Sequence, residues 1–261
     1  MTAPLWISAF LDLPATSFAP ATRFWSAVTG YRLSEPRGDH REFGTLLPPD
    51  GDDFLRVQRV QDGSGGIHLD LHVADPRASA EAATHLGATE VADHGYVVMR
   101  SPGGLTFCFV SQGASTRPRP LVQEDGTASI VDQVCLDMPA AAHDEECAFW
   151  AAVTGQRHVD VDSPEFSRLV RGDGQPLQLL LQRLDERSGR VRAHLDLAAD
   201  DRAAEVRRHV GLGAALDAAG RGWTVLRDPA GAPYCVTDRS PGTGRRDDRS
   251  GYPDAPAPSP R

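Results

Sequence analysis

The chain contains no lysine and no asparagine; all 27 basic residues in its 261 positions are arginine. Without lysine there is no Schiff-base chemistry, no lysine-bound pyridoxal phosphate and no P-loop lysine to grip a nucleotide. Without asparagine there is no N-linked glycosylation. Cysteine is scarce. The four present, Cys108, Cys135, Cys147 and Cys235, show no C-x-x-C spacing, so neither a disulfide framework nor a zinc knuckle is expected. No apolar run approaches membrane-spanning length. The opening residues MTAPLWISAFLDLPA lack the basic region and long apolar stretch of a secretory signal. Clustered positive charge is missing too: net charge is −9 and the arginines form no stripe. Nucleic acid and anionic membrane are therefore excluded as partners, since both need clustered cations to replace counterions. A reduced, cytoplasmic protein is the expectation.

What the sequence does have is repetition. RFWSAVTGYR at 23–32 returns as AFWAAVTGQR at 148–157, with Phe24 recurring as Phe149, 125 residues on. IHLDLHVAD at 67–75 returns as AHLDLAAD at 193–200, and SPGGLTFCFV at 101–110 returns as DPAGAPYCVT at 228–237. RVQRV at 56–60 returns as LLQRL at 180–184. Four blocks in one order at nearly one offset identify a duplicated domain with small indels in its loops.

Residues 116–127, inside the Pro- and Gly-rich stretch SQGASTRPRPLVQEDGTA, read as a linker between residues 1–115 and 128–240. Residues 241–261 have almost no apolar content and are expected to form a disordered tail. Inside each copy a second rhythm appears. WISAFLDL reads as a strand and ATRFWSAVTG as a helix ended by Gly30, where positive φ is needed. Strands follow at YRLSE, REFGTLL and DFLRVQRV; then strand IHLDLHV, helix PRASAEAATHLGA and three more strands restart the order. Each copy thus reads βαβββ–βαβββ.

Alternation along a strand divides its faces. In IHLDLHV, His68, Asp70 and His72 share the face opposite Leu69, Leu71 and Val73; in the second copy His194 and Asp196 oppose Leu195 and Leu197. Cys108 and Cys235 sit opposite the aromatic face of their strands. A mid-strand aspartate flanked by leucines must be paired or solvated, and the same-face histidine two residues earlier is its expected partner. Apolar faces belong under helices; polar faces belong in a cavity. Trp25 and Trp150, beside phenylalanines on their helices, are expected in the core.

This pattern resembles the vicinal oxygen chelate superfamily of glyoxalases, bleomycin-resistance proteins and extradiol dioxygenases. The resemblance rests on the strand and FW…TG helix, the HLDL strand and the DPAG turn before the last strand. It implies an α+β fold: four βαβββ modules forming two tandem domains, each a cup-shaped mixed sheet with helices on its convex side. It also implies metal-ligand positions on the first, fourth, fifth and eighth strands of each domain. These fall on Ser8, Gln58, His68 and Cys108, and on Gln133, Gln182, His194 and Cys235. Only the histidines match the metal-binding pattern. Missing carboxylates argue against an oxygen-preferring divalent ion, so no metal and no cofactor are expected.

The resulting expectation is a bleomycin-resistance-like protein that holds a small organic ligand on Gln58, His68, Asp70, Cys108, Gln133, Gln182, His194, Asp196 and Cys235, with no catalytic residue assigned. The alternative is a lyase, isomerase or dioxygenase acting on a small oxygenated or aromatic substrate. The second cup is the expected ligand site, because Gln133 offers an amide where the first has Ser8. His72 is expected to make the first cup pH-sensitive. With two cups fused, the chain is expected to act as a monomeric pseudo-dimer.

Overall fold

A computed structural model describes residues 3–61, 63, 65–161 and 163–245. The first half forms β1 (Trp6–Pro14), α1 (Phe18–Thr29), β2 (Arg32–Leu33), β3 (Phe43–Leu47), β4 (Leu55–Val60), β5 (Gly66–His72), α2 (Pro76–Thr84), β6 (Thr89–Asp93), β7 (Val97–Arg100) and β8 (Thr106–Val110). After a two-residue strand β9 (Leu121–Val122), the order repeats. It runs through β10 (Ala128–Pro139), α3 (His143–Thr154), β11 (His158–Asp160), β12 (Phe166–Leu169), β13 (Gln178–Leu184), β14 (Arg192–Ala199), α4 (Arg202–Gly211), β15 (Ala215–Gly220), β16 (Trp223–Arg227) and β17 (Pro233–Thr237). The two sheets have matching orders, β2-β3-β4-β1-β5-β8-β7-β6 and β11-β12-β13-β10-β14-β17-β16-β15. The α+β class and the four βαβββ modules stand as read from the sequence.

Local signals end the helices where expected. Gly30 and Gly155 take φ of 72° and 65° at the ends of α1 and α3, which costs a residue without Cβ nothing. Asp75 and Asp201 cap α2 and α4, accepting from Ala78 N and Ala204 N. The linker segment is tied down: Asp52 accepts from the backbone of Ser115 and Thr116, and β9 pairs with β10. Of the proposed tail, residues 241–245 are folded back against the protein, with Pro241 buried; the remainder, 246–261, lies outside the described residues.

The two halves share one core, joined by reciprocal aromatic contacts from α1 and α3. Helix α1 sends Phe24 and Trp25 against Tyr234 of β17, ring centroids 5.9 and 5.1 Å apart. Helix α3 returns the contact, with Phe149 and Trp150 at 5.7 and 5.4 Å from Phe107 of β8. Both tryptophans are buried, as expected, and Trp6 joins the same core. Each indole N–H finds a buried carboxylate: Trp25 crosses to Asp228 at 2.9 Å, and Trp150 donates within its own helix to Glu146 at 2.7 Å, which in turn takes the Gly103 N–H of the first half. Arg208 of α4 also donates to the Ala27 and Val28 carbonyls at the end of α1, satisfying acceptors a helix terminus leaves open.

Glu205 gives this seam a pH dependence. Burial opposes its charge, but hydrogen bonds from Arg208 and His209 outweigh that and hold its carboxyl well below the usual range. A depressed carboxylate pKa contributes stability above the unfolded glutamate value, about 4.3, and that contribution fades as pH falls below it. Glu205→Gln should therefore destabilise the chain near neutrality and flatten the acid limb of stability against pH. Urea unfolding from pH 7 downward checks this; parallel curves for the two proteins would refute it.

Candidate ligand-binding site

On each sheet the apolar face packs under helices, and the opposite face forms the inside of the cup. In the first cup, β1 presents Ser8, Phe10 and Asp12, and β5 presents His68, Asp70 and His72, with Ser8 opposite Asp70 and Phe10 opposite His68. Cys108 of β8 lies beside Asp70, and Gln58 of β4 beside Asp12. Gly66 stands opposite Asp12 and leaves it room to lean across to His68, whose Nδ1 is 2.8 Å from Asp12 Oδ2. The expected pairing of His68 with Asp70 is thus corrected: the main partner is Asp12. Asp70 instead takes Arg56 of β4 at 3.3 Å.

The second cup repeats the plan. Asp137 of β10 holds His194 Nδ1 at 2.9 Å, and Asp196 Oδ1 lies 3.3 Å from His194 Nε2. Cys235 Sγ is 3.5 Å from the same Nε2. Gln133 donates to Asp196 Oδ2 at 2.5 Å and accepts from Gln178 and from Arg239. Gln182 lies beside Asp137 in register and accepts from the Cys135 thiol at 3.6 Å. The expected residues therefore converge on two floors, one per cup. Asp12, Asp137, Arg56 and Cys135 belong to those floors, Arg239 supports Gln133 from outside the second one, and none of these was anticipated. FLDLP at 10–14 returns as CLDMP at 135–139, and that repeat was the available signal for the two dyad aspartates.

The charge states follow from this packing. Burial works against a charged His194, yet Asp137's carboxylate and hydrogen bond outweigh it and raise the ring well above its ordinary value. Burial likewise works against the Asp196 carboxylate, but His194, Arg239 and Gln133 hold its pKa down. The second floor is thus a carboxylate–imidazolium–carboxylate stack. In the first cup, burial raises Asp70 despite His68 and Arg56. His72 departs from expectation. Burial pushes its pKa down, Ser8 Oγ meets Nε2 at 2.8 Å, and Nδ1 donates to the Gln112 carbonyl at 2.8 Å. Its charge change is moved below the ordinary histidine range, away from neutral pH.

The cups differ most in what fills them. Phe10 stacks on the His68 ring at 4.6 Å and 9°, and Arg56 lies over Phe10 at 5.8 Å while donating to Asp70 and Gln112. The residues in their places in the second copy are Cys135, opposite His194, and Leu180, opposite Cys135. A thiol and an isobutyl group are together smaller than a phenyl ring and a guanidinium.

His68, Asp70 and Cys108, like His194, Asp196 and Cys235, bring ligand-capable atoms within 4.8 Å of one another. They do not fit the oxygen-preferring ion implied by the fold. Ser8 is engaged by His72, the Gln133 amide is saturated by three side chains, and the eighth-strand donors are thiols that burial pushes up in pKa. Such an ion is held best by several carboxylate oxygens, and each cluster supplies a single carboxylate, Asp70 or Asp196.

Glyoxalase-like domains match this chain twice, over residues 8–110 and 133–237. The chain belongs to the glyoxalase-like domain family. It is a tandem member of the vicinal oxygen chelate superfamily. No curated protein matches its sequence. Among solved structures, a 4-hydroxymandelate synthase mutant from Streptomyces coelicolor superposes with a TM-score of 0.60 at 16% identity, covering 92% of this chain and 95% of that one. The Mn(II)-bound glyoxalase from Novosphingobium aromaticivorans gives 0.58 at 18%, covering 90% and 81%. A 2,3-dioxygenase from a Pseudomonas species gives 0.60 at 16%, covering 91% and 93%. At such identities these relatives share the glyoxalase-like fold and carry no assignment of reaction. Among the described residues, no helix is long and apolar enough to cross a membrane.

Proposed function

We propose that this glyoxalase-like protein binds a small organic molecule in its second cup without the divalent metal of its enzymatic relatives, as a cytoplasmic single-chain pseudo-dimer. The observation that carries this reading is the Asp137–His194–Asp196 stack in a cup whose centre is lined by Cys135 and Leu180. Asp137 and His194 keep 15% and 13% of their side chains exposed; Asp196 keeps 4%. The reachable edge of the floor is therefore a carboxylate flanked by an imidazolium, which orients a hydroxyl- or amine-bearing ligand by hydrogen bonds. The competing reading, a lyase, isomerase or dioxygenase acting on a small oxygenated or aromatic substrate, draws on the same His–Asp pair as an acid–base couple. The dioxygenases among its structural neighbours favour it weakly.

Catechol and 4-hydroxymandelate serve as probes in calorimetry on the full chain. His194→Ala should weaken binding at least about tenfold, and His68→Ala should leave it within about twofold. Equal losses from both changes, or none from either, would remove the second cup from the proposal. Oxygen consumption or product formation with either probe would favour the enzyme.

A further inference from the structure

Three arginines meet outside the cups, where the linker, the β12–β13 turn and the end of β17 come together. Arg239 is tied to Asp132, NH2 to Oδ1 at 2.5 Å, with side chains 9% and 1% exposed. Arg171 donates to the Asp132 and Pro176 carbonyls at 3.4 and 3.2 Å. Arg117 donates to the Pro241 carbonyl at 3.3 Å, and its Nε is buried without a partner. Among the described residues no carboxylate other than Asp132 forms an ion pair with any of the three. Three guanidinium groups thus share one carboxylate, and the direct hydrogen bonds of Arg117 and Arg171 go to carbonyls. Their crowding is visible in their chemistry: burial, and for Arg171 the neighbouring Arg117, push both below the usual arginine pKa.

Asp132 adds a second, opposite feature. Its Oδ2 is buried and accepts no hydrogen bond. A Cβ on Gly244 would stand 3.0 Å from Asp132 Oδ2 and 3.3 Å from Arg171 NH2, so this spot offers an acceptor and a cationic donor side by side. A fully ionised anion satisfies the guanidiniums and is repelled by Asp132. An anion that still carries a proton satisfies both, because its oxygens accept from arginine and its hydroxyl donates to the carboxylate. Near neutral pH hydrogen phosphate has that hydroxyl and sulfate, of the same shape, does not.

We propose that Arg117, Arg171 and Asp132 form a binding site for inorganic hydrogen phosphate. Phosphate oxygens replace the carbonyl contacts of Arg117 and Arg171, and segment 240–245 yields to admit them. Arg239 is a positioning residue that holds Asp132 in place.

The test is calorimetry on the full chain near neutral pH, with inorganic phosphate, sulfate and phenyl phosphate at matched ionic strength. Phosphate should bind at least about tenfold more tightly than sulfate. Arg117→Gln and Arg171→Gln should each weaken phosphate about tenfold or more, and Asp132→Asn should erase the preference over sulfate. Because Asp132→Asn can fail to fold, the two arginine variants decide the matter without it. Phenyl phosphate, which has lost its second proton near neutral pH, should bind no more tightly than sulfate; binding as tight as that of phosphate would overturn the role given to the hydroxyl. His194→Ala should leave phosphate binding unchanged, so this site and the second-cup ligand fail or succeed separately. Equal heats from phosphate and sulfate, or phosphate binding untouched by both arginine substitutions, would overturn the site.

Discussion

Trp150→Ala should destabilise the whole chain by about 4 kcal/mol, enough to lower the midpoint of thermal unfolding by roughly 10 °C in a chain of this size. Two losses combine. The indole is fully buried against Phe107 and Phe149, so its removal opens a cavity at the junction of the halves. Its N–H also satisfies Glu146 Oε2, while Glu146 Oε1 takes the Gly103 N–H at 2.5 Å. Glu146 is fully buried and would lose one of those partners. Trp150→Phe separates the two effects: the ring is largely kept, and the lost hydrogen bond alone should cost about 1–3 kcal/mol. Because α3 packs Phe149 and Trp150 against Phe107 of the first half, both halves should unfold together in one transition. A variant whose second half melts while the first stays folded would contradict the shared core.

Arg239→Ala should cost about 3–5 kcal/mol, since it leaves the buried Asp132 charge without its ion-pair partner. It also frees Gln133, which positions Asp196 against His194, so ligand binding in the second cup should weaken along with stability. A double variant, Arg239→Leu with Asp132→Leu, should recover most of the stability, because a well-packed apolar pair often replaces a buried ion pair at no cost. It should not recover the support given to Gln133. Chemical denaturation of the single and double variants checks the first point and calorimetry with catechol the second. A double variant as unstable as Arg239→Ala would show that more than the unpaired carboxylate is at stake.

The repeat made much of this architecture readable in advance. The FW…TG helices, the HLDL strands and the DPAG turn fixed element order and offset, and strand alternation placed His68, Asp70 and His72 on one face. Other features depend on partners distant in the chain. Asp12 and Asp137 sat in a strand whose register against β5 and β14 no local signal specified, although FLDLP and CLDMP repeat at the offset of Phe24 and Phe149. Arg56 reads as a solvent-facing strand residue until Asp70 and Gln112 are seen around it. Arg239 closes a strand at the edge of a polar, Pro-rich tail, where nothing in the local composition announces a buried ion pair. The direction in which the titration of His72 moves was hidden for the same reason: it depends on burial and on Ser8 and Gln112, both far away in sequence. The contacts of α1 and α3 with the opposite halves are likewise a property of the packed chain, invisible to the periodicity of either helix.

The central claim is that the second cup works through a clamped imidazolium instead of a bound divalent ion. Elemental analysis of the full chain, purified without chelator, tests it most directly. Iron, manganese, nickel and zinc should each be far below one atom per cup, with no change in His194→Ala. One metal atom per cup, lost on replacing His68 and His194, would contradict the claim and move the protein among the metal-dependent enzymes of its superfamily.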